Sequence, residues 1–404
     1  MCGFVGLISR KANYRENYEK IIENKLQKIS HRGPDGQKII KTSDCIMGHA
    51  ILSIQGTKKR QNQPFFNGRY LLVFNGEILN LEHTKLSLIE YEKYFKEDDS
   101  DTCILFYGLI KHGYKFLKEI DGFYTCMFYD HEKNNGFIAR DPGGQKQLYY
   151  SNKNNSLQFS SEIKGIDGYF EIDKSSIDIY KSIGYIPSPK TIYKGIYSLR
   201  TGELINFSFK DDSLKFLSKK RLFKIQNERK SKIKNTKEIR KIVKEKIKRN
   251  LIGNCQASLL LSGGMDSSII LFEAKKFSKV HAYTASYDIP EYKKKKYCAD
   301  QYYAERLCRE FNIEHNIIEI SFTKEELLKR IDKCQYFMDQ PHFIGSILAN
   351  FKVAEYIKKN NEESKIVLTG NGGDEIFLGY ERYKLQSFIN KIYSLYNLIN
   401  NKPL

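Results

Sequence analysis

A cysteine at position 2 is the first residue whose place in the chain carries chemistry. Once Met1 is removed, Cys2 bears a free α-amine beside its own thiol. An α-amine titrates at about 7.7–8.0, so near neutral pH it can take the thiol proton and leave a nucleophile. Three further clusters could serve that nucleophile: His31-Arg32-Gly33-Pro34-Asp35-Gly36, Asn75-Gly76-Glu77 and Ser100-Asp101-Thr102. Taken singly, Asn75-Gly76 also fits a hairpin turn, and Asp101 fits a helix N-terminal residue. A second set lies far along the chain. Leu259-Leu260-Leu261-Ser262-Gly263-Gly264-Met265-Asp266-Ser267-Ser268 runs from an apolar strand into a helix. Its glycines let the backbone approach a polyanion, and a helix N-terminus favours negative charge. Ser262, Ser267 and Ser268 add hydroxyl donors, and Asp266 can hold Mg²⁺. No Lys-Ser/Thr pair follows, so this is not the Walker pattern. Gly370-Asn371-Gly372-Gly373-Asp374-Glu375 follows the apolar run 365–369. In a parallel sheet such a loop lies at the carboxyl edge, where ligands bind.

The N-terminal clusters are joined by Ala139-Arg140-Asp141-Pro142-Gly143-Gly144, Leu148-Tyr149-Tyr150 and Phe159-Ser160-Ser161-Glu162-Ile163-Lys164. With Cys2-Gly3 this set resembles the glutaminase domain of class II glutamine amidotransferases, the N-terminal-nucleophile (Ntn) type, and more closely the asparagine synthetase branch. The resemblance covers residues 2–210. It implies that Cys2 attacks the glutamine side-chain amide and forms a thioester. It implies that Asn75 and the Gly76 N–H stabilise the oxyanion. It also implies that Asp101 pairs with the substrate α-ammonium and that Leu52, Ser53 and Glu77 help hold glutamine. The 262–268 loop resembles the pyrophosphate loop of ATP pyrophosphatases, which cleave ATP to AMP and PPi. The 370–375 loop resembles its asparagine synthetase partner. The resemblance implies ATP contacts at Leu261, Ser262, Gly263, Gly264, Asp266, Ser267, Ala285, Thr369 and Gly370, with Ala285 near the adenine. It places Mg²⁺ at Asp266 and Asp374. Asp339-Gln340-Pro341 fits the family and fits a simple turn equally.

Three departures stand out against that family. It usually reads Arg-Leu-Ser-Ile where this chain reads Ile51-Leu52-Ser53-Ile54. That arginine grips the glutamine α-carboxylate, and Ile51 cannot; Arg32 and Arg60 are the candidate replacements. Asn371 stands where many asparagine synthetases have Glu and related amidotransferases often have Asp, and a neutral amide cannot act as a general base. The family's synthetase domain also continues well past Tyr383, into a basic region that supplies a catalytic lysine, whereas this chain ends at Leu404.

The elements that must position these residues follow from periodicity. Short β-type runs cover 4–8, 45–54, 70–74, 123–129 and 136–139, with helical spacing over 18–29 and 102–111. Strands with few crossover helices predict an α+β layer for the first part; the resemblance makes it an Ntn sandwich. Residues 215–234 crowd nine lysines and arginines with little periodicity, which reads as a solvated linker within 211–234. Beyond it, an amphipathic helix over 238–251 with Asn235 as its cap precedes alternating strands and helices. Strands are predicted over 256–261, 280–286, 313–320 and 365–369, and helices over 266–275, 299–310, 346–358 and 385–399. That order predicts an α/β parallel-sheet domain with helices on both faces over 235–404; the resemblance makes it an ATP pyrophosphatase domain.

Length and composition bound the rest. A chain of 404 residues holds two or three domains and can bury a sizeable core. With 41% apolar and 28% charged residues it is no disordered chain. The formal charge of +19 is spread over scattered lysines and predicts no nucleic-acid surface. Eight dispersed cysteines without a Cys-x-x-Cys pair exclude a zinc or thioredoxin-like motif and read as reduced thiols. The absence of a long apolar run or basic leader leads us to expect a cytoplasmic protein. The expected activity is that of an asparagine synthase (glutamine-hydrolysing) type ligase: ammonia from glutamine, ATP cleaved to AMP and PPi, and aspartate amidated through its adenylate. Its partners are small molecules, with neither nucleic acid nor membrane, and a homodimer is compatible with it. Two alternatives stay open. One has a sugar uronic acid as acceptor, which Asn371 favours. The other is a truncated, inactive amidotransferase-like protein, favoured by Ile51 and the early end.

Overall fold

The computed structural model describes residues 2–10, 18–54, 63–97, 100–168, 170–210, 213–222, 235–252, 256–289, 299–342, 345–361 and 363–399. The chain forms two compact units, Met1–Lys234 with Leu328–Ile344 and Asn235–Leu327 with Gly345–Leu404.

The first unit carries strands β1 Gly3–Ile8, β2 Gly36–Lys41, β3 Cys45–Ile51, β4 Phe65–Phe66, β5 Tyr70–Ile78 and β6 Gly122–Asp130. They are followed by β7 Asn135–Arg140, β8 Tyr149–Ser151, β9 Leu157–Ser160, β10 Tyr197–Ser198, β11 Glu203–Lys210 and β12 Ser213–Arg221. They make two six-stranded sheets, ordered β10-β8-β9-β1-β3-β2 and β12-β11-β7-β6-β5-β4. Every ladder in them is antiparallel. Alternation explains the layering. Leu71 and Val73 of β5 share a core with Phe4, Met47 and Phe159 of the other sheet. Leu72 and Phe74, on the opposite face of β5, pack against Ile104, Leu105 and Phe106 of the helix Asp101–His112. The helix Tyr18–Lys28 covers the far face of the first sheet through Ile22 and Leu26 against Val5 and Leu7. The order is therefore helix, sheet, sheet, helix: the Ntn sandwich.

Two expectations change here. Residues 213–221, expected in a basic linker, form β12, paired along its length with β11. Lys215, Leu217 and Lys219 are exposed, whereas Leu214, Phe216 and Ser218 turn partly inward. This is the period-2 pattern of an edge strand, and its lysines guard an open edge. Second, the strand expected over 70–74 runs on to Ile78, so Asn75-Gly76-Glu77 lies inside β5, and the alternative reading of Asn75-Gly76 as a hairpin turn is excluded.

The second unit holds β13 Ala257–Leu260, β14 Val280–Tyr287, β15 Glu314–Ile320 and β16 Ile366–Leu368 in the parallel order β15-β14-β13-β16. Leu259 and Ala282 face Leu271, Ala304 and Cys308 of the helices Met265–Ala274 and Ala299–Phe311. Tyr283 and Ile318 face Val353 and Ile357 of the helix Gly345–Asn360. Helices thus cover both faces, as a parallel sheet requires. Because β13 and β16 are neighbours, the loops leaving their carboxyl ends lie side by side. A helix over Lys324–Met338 was not foreseen; Thr323 and Glu326 cap it reciprocally, at 3.0 and 3.2 Å. Among the described residues no helix is long and apolar enough to cross a membrane.

Candidate active sites

Strand β1 begins at Gly3 and presents Cys2 at its leading end. The thiol rests against the chain just past β3: the Leu52 N–H donates to Sγ at 3.3 Å, and Sγ donates to the Leu52 carbonyl at 3.5 Å. The 31–36 loop holds that segment from its other side. Asp35 Oδ2 accepts the Ser53 N–H at 2.8 Å, and the Asp35 N–H donates to the Ile51 carbonyl at 2.9 Å. Gly33 allows the approach, since a Cβ there would lie 2.1 Å from the Ala50 carbonyl carbon. Leu52 and Ser53 are therefore placed by Gly33 and Asp35.

Asn75 and Gly76 pair with Thr125 and Tyr124 on β6. Gly76 is required by close packing, because a Cβ would meet the Phe123 carbonyl oxygen at 2.2 Å. Asn75 is 1% exposed, and among the described residues its Nδ2 has no hydrogen-bond partner. An unmet buried donor costs about 1–3 kcal/mol, so this amide is ready for an acceptor that arrives from outside. Asp101 opens the helix Asp101–His112 behind the Ser100 cap, where the Cys103 N–H donates to Ser100 Oγ at 3.2 Å. Its Oδ2 accepts the Ile78 N–H at 3.4 Å. Burial pushes the Cys2 thiol up; the Leu52 N–H opposes this, and the nearby negative charges of Glu77 and Asp101 add to it. The thiol thus keeps its proton until a base takes it.

Two residues without an assigned role join this site. The Lys146 ammonium stands 4.8 Å from the centre of the Phe123 ring, and Phe123 is the ladder partner of Glu77. Burial lowers the Lys146 pKa, helped by the charge of Arg32, while Glu77 and Cys2 pull it back. No ion pair of its ammonium occurs among the described residues. Glu162 lies on the other side of the Cys2 backbone. Arg32 Nε donates to the Cys2 carbonyl at 3.0 Å and its Nη1 to Glu162 Oε1 at 2.9 Å. Burial would raise the Glu162 carboxyl, but His31, Arg32 and Lys164 hold it down at about 2. Arg32 is therefore committed and does not stand in for the arginine missing at position 51. Arg60, the other candidate, lies outside the described residues. Asp339 and Gln340, which fit the family motif and a simple turn equally, belong to the first unit. Gln340 accepts the Ile192 N–H at 3.1 Å, and Asp339 the Ile163 N–H at 2.7 Å.

In the second unit a cavity of about 630 Å³ opens at the carboxyl ends of β13, β14 and β16. Leu261, Ser262, Gly264, Asp266, Ser267, Ala285, Thr369, Gly370 and Asp374 all line it, as do Asn350 and Asn371. Gly263 is absent from that lining. It turns the loop at φ +71°, where a Cβ would lie 2.5 Å from Tyr303 Cβ. Ser262 and Ser267 bridge the turn through their hydroxyls at 3.1 Å, and Ser268 Oγ donates to the Gly264 carbonyl at 2.7 Å. Gly264 precedes the helix Met265–Ala274 without a side-chain cap, so no capping side chain takes up its first N–H groups, and Gly264, Met265, Asp266 and Ser267 line the cavity. Leu261 is engaged on both sides, its N–H by the Tyr283 carbonyl at 2.9 Å and its carbonyl by Thr284 Oγ1 at 2.6 Å. The two loops touch: a Cβ on Gly373 would lie 2.3 Å from Asp266 Cγ.

The acidic groups there fit a divalent cation. Burial, then the charges of Asp374 and Glu375, push the Asp266 carboxyl up, a repulsion that a cation would relieve. Among the described residues no three metal-ligating side chains converge. The donor set suits an ion that takes its remaining ligands from phosphate and water, the habit of Mg²⁺.

Known proteins carry the same two-part plan. A model of the glutamine amidotransferase domain matches residues 1–217, and one of asparagine synthase matches residues 238–400. A Methanocaldococcus jannaschii protein, provisionally named asparagine synthetase [glutamine-hydrolyzing] 2, is 28% identical over all of this chain and 80% of its own length. Asparagine synthetase [glutamine-hydrolyzing] 1 of Bacillus subtilis is 27% identical over 95% of this chain, which spans 60% of that relative. A Gibberella zeae protein named amidase chry2 is 24% identical, over 96% of this chain and 60% of its own length. The two matches thus make the chain a member of the glutamine amidotransferase family, with a second part that matches the asparagine synthase model.

Proposed function

We propose that the chain hydrolyses glutamine at Cys2 and uses the ammonia to amidate a carboxylate that ATP has activated. The observation that carries the first half is the surroundings of Cys2: a half-buried thiol within reach of the charges of Glu77 and Asp101, with the buried Asn75, whose amide donor is unmet among the described residues, on the same strand as Glu77. With Met1 gone, the α-amine takes the thiol proton and Sγ attacks the amide carbon of glutamine. The carbonyl oxygen turns negative and is met by Asn75 Nδ2 and the Gly76 N–H. The C–N bond then breaks, ammonia leaves with the proton held by the amine, and water hydrolyses the thioester to glutamate. Asp101, with Glu77, holds the substrate α-ammonium. Lys146, whose charge interacts with those of Glu77 and Cys2, is the cation we assign to the α-carboxylate.

ATP is the substrate of the second unit. The serines and helix N–H groups of 262–268 bind its pyrophosphate, and Ala285 and Gly370 border the nucleoside. Mg²⁺ between Asp266 and Asp374 would offset pyrophosphate charge when bound. The acceptor carboxylate attacks the α-phosphate and displaces PPi; ammonia then displaces AMP and leaves an amide. Aspartate is the acceptor implied by the family. Asn371, which lines the cavity as a neutral amide, favours an acceptor whose reaction needs no general base at that position. A cytoplasmic location is part of the same proposal. The test is AMP release with glutamine, ATP and a panel of carboxylates that includes aspartate and a uronic acid. AMP with one acceptor identifies the substrate; ADP and phosphate in every case would refute the pyrophosphatase half.

A further inference from the structure

The backbone of Cys2 is anchored by a chain of charges that the chemistry above does not use. After loss of Met1, residue 2 has no upstream peptide to fix it. What holds it is Gly3, the contacts of Sγ with Leu52, and Arg32 on its carbonyl at 3.0 Å. Arg32 runs flat along this stretch: a Cβ on Gly3 would lie 2.8 Å from Arg32 Cδ. Its guanidinium is fixed by Glu162, which also takes His31 Nε2 at 2.9 Å. Lys164 bridges Glu162 to Asp339, with its Nζ 2.9 Å from Asp339 Oδ1. The other Asp339 oxygen accepts the Ile163 N–H at 2.7 Å. Asp339 sits at φ +61°, in the left-handed region that Asp enters more readily than most non-glycine residues. The side chains of Arg32, Glu162, Lys164 and Asp339 are each exposed by 6–11%. In such a buried row of alternating sign, loss of one member leaves its neighbours uncompensated.

We propose that Glu162 is a positioning residue for Cys2, acting through Arg32, and that its own placement is set through Lys164 by Asp339. The inference rests on Cys2 being the nucleophile of the glutaminase reaction. Asp339 lies in 328–344, a segment of the first unit whose chain continues at both ends into the nucleotide-binding unit. Glutaminase turnover is thereby made to depend on how that segment is held. A rod of this kind changes where the thiol points; Glu162→Gln leaves Asp101, Glu77 and Lys146 in place and keeps the Arg32 charge that acts on Lys146. Loss of the rod belongs in kcat and leaves KM alone.

The test compares wild type, Glu162→Gln, Asp339→Asn and the double variant, using the full chain with Met1 removed. Two readouts are taken: steady-state glutaminase kinetics, and the rate at which iodoacetamide alkylates Cys2, followed by peptide mass. We expect Glu162→Gln to lower kcat about tenfold with KM changed less than about twofold. Asp339→Asn should move the same way by less, and the double variant should be no worse than Glu162→Gln alone. The alkylation rate should fall in the same order. A raised KM with kcat kept, an unchanged alkylation rate, or additive losses in the double variant would overturn the inference. If Glu162→Gln does not fold, Asp339→Asn and Lys164→Met, at the melting temperature of wild type, decide it on the same readouts. If wild type hydrolyses no glutamine, the proposed function fails, and the alkylation order still decides whether the network positions the thiol.

Discussion

Replacing Ile51 by arginine should tighten glutamine binding without changing turnover. Ile51 ends β3 and is half-buried, one residue before the backbone that touches the Cys2 thiol at 3.3 Å. Glutamine brings two charged ends to this pocket. In the proposed mechanism Asp101 and Glu77 serve the ammonium, while Arg32 is occupied by Glu162 and the Cys2 carbonyl. Among the described residues the α-carboxylate is left, in that mechanism, to the ammonium of Lys146, whose pKa burial lowers. A bidentate guanidinium pair adds about 1.5–3 kcal/mol, which corresponds to a KM roughly ten- to a hundredfold lower. The contact is the same in the ground and transition states, so kcat should stay level. Glutamate formation measured against glutamine concentration checks this, with Lys146→Met in parallel: KM should rise in Lys146→Met, and Ile51→Arg should restore it in the double variant. A wild type with tight glutamine binding, no gain from Ile51→Arg and no loss from Lys146→Met would refute the reasoning.

Other expectations follow from the same geometry. Cys2→Ala should abolish glutamine hydrolysis and leave ammonia-dependent amidation intact; intact-mass analysis should show Met1 lost. Asp266→Asn and Asp374→Asn should each reduce AMP formation at least about tenfold, because each removes a carboxylate facing the pyrophosphate; AMP quantified by chromatography reads this out. Gly33→Ala should destabilise the fold by about 1–3 kcal/mol, since its Cβ falls 2.1 Å from the Ala50 carbonyl carbon; urea melts measure it. Glu162 is held at about 2 against an ordinary 4.5. A depressed carboxyl stabilises the fold above pH 4.5 and loses that contribution as the pH falls towards 2. Urea midpoints of wild type should therefore drop over that window more steeply than those of Glu162→Gln.

Local signals were legible and distant ones were not. The Asn235 cap stood out in the sequence and is made, with the Glu238 N–H 3.0 Å from Asn235 Oδ1. The alternation of apolar strands and helices after position 236 predicted the parallel sheet, and its order brought the two glycine-rich loops to one edge. The helix Lys324–Met338 has a local signal too, the Thr323–Glu326 capping pair. β12 was hidden because lysines outweighed the period-2 alternation of Leu214, Phe216 and Ser218. Gly76 suggested a turn because a glycine next to Asn usually marks one. Here it admits the neighbouring strand, a contact with Phe123 that no local pattern announces. The first site came together from segments 2, 52–53, 75–77 and 101, but what fixes them was not visible. Glu162 and Arg32 stand 130 residues apart, and Asp339 joins Ile163 across 176. Such pairs are set by sheet packing, and nothing in the local sequence encodes them.

Transfer of nitrogen tests the central claim most directly. The chain, with Met1 removed, is incubated with ATP, Mg²⁺, aspartate and glutamine carrying ¹⁵N in its side-chain amide, and the products are followed by mass spectrometry and nucleotide chromatography. Parallel reactions use Cys2→Ala and the other carboxylates of the panel. The account predicts a ¹⁵N-labelled amide and AMP in equal amounts with one acceptor, and loss of the label with Cys2→Ala. Label transfer that persists in Cys2→Ala, or ATP turned over to ADP while the label stays in glutamine, would contradict it.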